Sequence, residues 1–131
     1  MRITVDTNVI VSGLINTNGI PAKVLTLVLN GNHKLLYDNR IIFEYSEVLS
    51  RKEFGFSPET INNIIDFFRF DGKFINAPYI KLNFSDETDK KFYEVYKYGK
   101  ADYLITGNLK HFPRERGIVT PKMFIEKEME S

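Results

Sequence analysis

Residues 2–14 read RITVDTNVIVSGL. Arg2–Val5 is rich in β-branched residues, which suit the pleated surface of a buried strand. Thr7–Leu14 carries Val9, Ile10 and Leu14 on one side of a short helix. A strand thus passes straight into a helix, with Asp6 at the joint. The same alternation continues outward. Residues 16–19 form a loop, and Pro21 stands in a helical first turn, where its missing N–H is harmless. Val24, Leu25, Val28 and Leu29 keep helical spacing until Asn30-Gly31-Asn32 ends the helix. Lys34–Tyr37 is a second strand. Asp38 or Asn39 caps a helix to about Ser50, with Ile41, Ile42, Tyr45, Val48 and Leu49 inward. Ser57 and Pro58 open another, which Ile61, Ile64, Ile65 and Phe68 mark and Asp71-Gly72 stops. The stretch 73–82 holds one short strand, KFIN, and an extended approach. Ser85 or Asp86 starts a helix to about Tyr98, followed by strands at 101–106 and 117–120 and a terminal helix from Pro121. Strands alternating with helices predict a mainly parallel sheet covered on both faces.

The 131 residues fit one compact domain, 1–131. There are no cysteines, which excludes a disulfide framework, a thiol nucleophile and a sulfur-ligated zinc site, and suits a reducing cytoplasm. The apolar N-terminal stretch is broken by Asp6, Asn8 and Ser12, so neither a membrane span nor a signal peptide is expected. The net charge of +1 gives no overall footprint for nucleic acid. Contact with RNA must come from local arrangement, and Lys110, His111 and Arg114 are the candidates. With Arg116 they form a basic cluster that, taken alone, reads as a solvated loop. The run Phe67, Phe68, Phe70, Phe74 reads as core before interface.

In a parallel sheet, ligand sites form beyond the carboxyl ends of the strands. Asp6 is placed there, although an aspartate at that joint also suits a helix cap. Glu44 lies in the early turns of its helix, between Phe43 and Tyr45, both expected to be partly buried. Glu47 competes for the same role but lies farther from the strand edge. Asp86 and Asp89 share one side of a helical first turn, Asp86 as cap and Asp89 toward the sheet. Thr106-Gly107-Asn108 follows the ADYLIT strand and sets polar side chains beside Asp6, while turn chemistry explains the same residues. Asp102, at the strand's other end, is expected to be structural. Several carboxylates at one edge repel one another unless a cation neutralises them. The cation suited to such oxygens is Mg²⁺ or Mn²⁺. His33 is expected in a solvated turn and His111 in a loop at the site edge.

Four segments in order, ITVDTNVIVSGL, IIFEYSEVLSRKEF, SDETDKKFYEVY and ADYLITGNLKHFP, resemble the PIN-domain family over nearly the whole chain. Most similar are small PIN proteins that serve as toxins of toxin–antitoxin modules. The resemblance implies an α/β/α sandwich with a mainly parallel sheet, a bound Mg²⁺ or Mn²⁺ and hydrolysis of RNA. By motif position it implies acidic ligands at Asp6, Glu44 and Asp89. The fourth position falls on Asn108, an uncharged donor where the full pattern has an acid, which puts a second ion in doubt; Asp86 is the compensating candidate. Thr7, Asn8 and Thr106 are implied partners that orient the carboxylates. A small antitoxin and pairing as a homodimer follow from the same resemblance. Two other readings compete: a catalytically weak module binding RNA or a protein, and an aspartyl phosphatase-like hydrolase. The latter wants an acid two residues after Asp6, where this chain has Asn8.

Overall fold

A computed structural model describes residues 1–130. Within them, strands β1 (Arg2–Val5), β2 (Lys34–Tyr37), β3 (Lys73–Phe74), β4 (Tyr103–Ile105) and β5 (Ile118–Val119) form one sheet in the order β3-β2-β1-β4-β5. Every neighbouring pair is parallel. Six α-helices flank it: α1 (Thr7–Ile15), α2 (Ile20–Leu29), α3 (Asn39–Leu49), α4 (Pro58–Asp71), α5 (Lys90–Tyr98) and α6 (Pro121–Glu130). The result is the α/β/α sandwich that the alternation predicts. No helix among the described residues is long and apolar enough to cross a membrane.

β1 is central because both its faces are apolar enough to be covered: Ile3 and Val5 are fully buried, and so is Thr4 between them. The parallel register pairs Val5 with Ile105, so β1 and β4 end side by side. The Asp6 N–H donates to the Ile105 carbonyl at 2.9 Å and fixes the Asp6 backbone at that edge. Beneath it lies Tyr45 of α3, fully buried, with its ring 5.7 Å from that of Phe68 and 6.4 Å from that of Phe92. Its hydroxyl donates to the Val5 carbonyl. One ring therefore ties α3, α4 and α5 to the end of β1.

Local sequence sets the helix starts. The Asp38 carboxylate accepts from the Ile41 N–H at 3.0 Å, and Ser57 Oγ accepts from the Thr60 N–H at 3.1 Å. Gly72 after α4 is required by space: a Cβ there would lie 2.5 Å from the carbonyl oxygens of Leu35 and Phe68.

Several expectations are corrected. The strand expected at KFIN covers only Lys73–Phe74, with one further bond from the Ile75 N–H to the Tyr37 carbonyl. The helix expected from Ser85 or Asp86 begins at Lys90, after a 3₁₀ turn over Glu87–Asp89. Asp86 is the expected cap, for the turn and not for α5: its carboxylate accepts from both the N–H and the hydroxyl of Thr88. Phe43 is exposed although Tyr45 is buried, since the two stand about 200° apart around the helix axis. Phe68 joins the core for the same reason that Phe70 does not, and Phe74 is half exposed. His33 is buried rather than solvated: its ring packs on Phe124 and its Nε2 meets Glu128 of α6.

Candidate functional site

Asp6 occupies the position before α1 with an extended backbone, yet its side chain does not cap that helix. Its carboxylate accepts instead from the Thr106 hydroxyl at 2.8 Å, across from β1 to the end of β4. The Thr106 oxygen in turn accepts from the Asn108 N–H at 3.1 Å. Asn108 Nδ2 lies 3.1 Å from the His111 ring, and His111 Nδ1 lies 2.9 Å from Asp89 Oδ2. On the other side of Asp6, the Thr7 hydroxyl donates to Glu44, whose second oxygen lies 2.7 Å from Lys91 Nζ. Polar contacts therefore join Glu44 to Thr7 on one side, and on the other run from Asp6 through Thr106, Asn108 and His111 to Asp89. Four separate stretches of chain meet at the carboxyl edge of the sheet.

Other sequence candidates fall elsewhere. Glu47 is exposed and pairs with Arg51 at 3.3 Å, so Glu44 faces the cluster and Glu47 does not. Asp86 is exposed at the rim and engaged with Thr88. Asn8 is exposed and its side chain makes no hydrogen bond among the described residues, unlike those of Thr7 and Thr106. Lys110 and Arg114 are exposed on the loop after Asn108, without carboxylate partners among the described residues. Asp102 receives the Arg2 N–H at 2.9 Å at the far end of the sheet, a structural place as expected.

Burial is the main influence raising the Asp6 carboxyl above its ordinary value; the Thr106 hydroxyl opposes it, and the charges of Asp89 and Glu44 add to the rise. Asp89 is also raised, again chiefly by burial and against the pull of His111. Burial, more than the neighbouring charges, is what raises both acids. Among the described residues, no three or more histidine, aspartate or glutamate side chains already stand as a closed metal-holding group. The chemistry of the donors nevertheless suits a hard divalent cation: carboxylates, an amide oxygen and two hydroxyls. Closing the set requires Glu44 and Asp89 to turn from Lys91 and His111.

Sequence reading missed Lys91 and the Asp89–His111 contact, because both partners lie in other elements. It also missed Glu94, 1% exposed, which accepts from Arg40 Nη1 and from the Ile80 N–H, each at 2.8 Å. A glutamate one helical turn beyond Lys90 carries no signal of burial.

The raised Asp6 value has a consequence for stability. The folded state holds the Asp6 proton more tightly than the unfolded chain, whose value is near 3.8. Native protein thus binds more protons between that value and the raised one, and stability contributed by Asp6 falls as pH rises through this window. Asp6→Asn removes the effect. In metal-free buffer, the melting temperature of the variant relative to the parent is expected to climb from about pH 4 to 7. A difference that stays flat or reverses across the range would contradict the burial of an ionising carboxyl.

Comparison with known proteins agrees with this architecture. The PIN-domain family model matches residues 2–110. An uncharacterized protein of Methanocaldococcus jannaschii is 32% identical over an alignment of 154 positions, covering 97% of this chain and 91% of the relative. The parallel sheet, the acidic edge and the family match agree: the chain belongs to the PIN-domain family, whose members are generally nucleases.

Proposed function

We propose that this protein is a Mg²⁺- or Mn²⁺-dependent endoribonuclease. What supports the reading is the run of polar contacts at the carboxyl edge of β1 and β4 that places Asp6 against Thr106, Glu44 against Thr7 and Asp89 against His111, with Asp89 and Glu44 among the charges acting on Asp6. In this reading those three side chains hold the ion, and Asn108 contributes its amide oxygen. Thr106 and Thr7 keep the Asp6 and Glu44 carboxylates oriented through the bonds described. A divalent ion bound there supplies Lewis-acid chemistry, lowering the pKa of a water and offsetting charge that builds at phosphorus. His111 and the exposed Lys110 and Arg114 stand where a phosphate backbone crosses the site edge. Asp86, committed to Thr88, is left out of the ligand set.

The toxin role rests on resemblance. It carries with it a cytoplasmic location, pairing as a homodimer and a small antitoxin that covers the site with a positive side chain.

Calorimetric titration with Mn²⁺, followed by RNA cleavage with and without EDTA, tests the reading. Saturable binding at millimolar metal or below is expected, with cleavage abolished by the chelator. Cleavage undiminished in excess EDTA rejects metal dependence. Absence of binding instead favours an RNA- or protein-binding module of weak catalysis. That second reading draws on the uncharged Asn108 and on the unclosed ligand set.

A further inference from the structure

Beside the acidic cluster lies a pocket of about 200 Å³ lined by Arg40, Tyr79, Glu87, Lys90, Lys91 and Glu94. Its cations are matched unequally. Arg40 spans Asp38 at 2.6 Å and Glu94 at 2.8 Å, and Lys91 reaches Glu44. The Lys90 side chain is largely covered, but its ammonium stays open to the pocket and, among the described residues, makes no salt bridge. It lies 4.0 Å from the centre of the Tyr79 ring. An ammonium held over a ring face and open to the pocket leaves its N–H donors to water or to an incoming anion. Of the pocket's carboxylates, Glu94 is already satisfied by Arg40 and the Ile80 N–H, while Glu87 accepts from the Phe84 N–H at 3.3 Å.

Tyr79 supplies the second half of the argument. Its ring is 74% exposed, on the segment that the Ile80–Glu94 bond and the Phe84–Tyr93 ring contact fasten to α5. An anchored, exposed aromatic beside an ammonium that makes no salt bridge among the described residues has the chemistry to hold a nucleotide: a base stacks on the ring and a phosphate meets the cation. The position is next to the acidic cluster, because Lys90 follows Asp89 directly and Lys91 is shared with Glu44.

We propose that Tyr79 and Lys90 form a subsite for one unpaired nucleotide of RNA, flanking the bond to be cut. This rests on the nuclease reading above. The base stacks on Tyr79 and its phosphate lies on Lys90. A base held inside a duplex has no face to offer the ring.

The test is fluorescence anisotropy with a short fluorescein-labelled oligouridylate in EDTA, comparing the parent with Tyr79→Ala and Tyr79→Phe. Stacking predicts roughly tenfold weaker binding for Tyr79→Ala and near-parental binding for Tyr79→Phe. Lys90→Met is expected to reduce the salt slope by about 0.7, as loss of one phosphate contact to a single strand does. If Tyr79→Ala lowers the melting temperature but binds like the parent, the pair is structural and the subsite is rejected. Equal affinity of the parent for the oligouridylate annealed to oligoadenylate rejects it as well. Cleavage in Mn²⁺ by the same preparations separates the two claims. Cutting by the parent without Tyr79-dependent affinity overturns the subsite alone. Tyr79-dependent affinity without cutting overturns the nuclease and leaves an RNA-binding site.

Discussion

Asp6→Asn is expected to lose RNA cleavage by at least about a hundredfold while remaining folded. A metal ion supplies several kcal/mol of charge stabilisation to phosphodiester hydrolysis, and about 1.4 kcal/mol is tenfold in rate. Of the proposed ligands, Asp6 is the one whose loss should matter most, because it stands between the Glu44 and Asp89 arms of the cluster. Asparagine fills the same volume and still accepts from the Thr106 hydroxyl. It also removes a buried carboxyl that ionises unwillingly, so the metal-free variant should melt no lower than the parent at neutral pH. Cleavage of a labelled RNA in Mn²⁺ and a thermal melt of the same sample check both halves. Parental activity in a folded Asp6→Asn protein would sink the nuclease assignment. A collapse of the fold would show instead that the Asp6 charge is structural.

Phe92→Ala should destabilise the fold by about 3–5 kcal/mol, as deletion of a buried aromatic ring does. Phe92 is fully buried on α5, the helix that crosses β1, β2 and β4, and its ring lies against Tyr45. For a chain of this size the loss corresponds to a fall in melting temperature of roughly 10–20 °C. Cleavage should fall as well, even well below the melting point, because Asp89 and Lys91 are carried at the start of the same helix. Phe92→Leu, which leaves a smaller cavity, should recover much of both. A fall of only a few degrees for Phe92→Ala would mean that α5 closes over the cavity, and that the position of Asp89 does not depend on this packing.

The elements with strong periodicity were readable to within a residue or two. β1 and β2 run over the stretches expected, and Pro58 opens α4 behind its Ser57 cap. Reading failed where local hydrogen bonds decided the outcome. Asp86 caps a 3₁₀ turn over Glu87–Asp89 before α5 begins at Lys90, and no apolar spacing separates a 3₁₀ turn from the first turn of an α-helix. It failed also for burial that depends on distant partners. His33 resembles a turn residue until α6 brings Glu128 to it, and Glu94 resembles a solvated glutamate until Arg40 and the 77–84 segment enclose it.

For the acidic site, the residue types and their order along the chain were legible, because an aspartate at a strand's carboxyl end follows from the alternation of strand and helix. Which partner each carboxylate meets was not. Thr106 and Asp6 are a hundred residues apart, and only the parallel register of β1 with β4 sets their oxygens 2.8 Å from one another. Sequence alone determined the α/β architecture, since strand and helix periodicities are local properties of the chain. The tertiary structure alone decided that Lys91 neutralises Glu44, that His111 holds Asp89 and that Lys90 is buried beside Tyr79. Those contacts act over a few ångströms through space, and the packing of whole elements sets that distance.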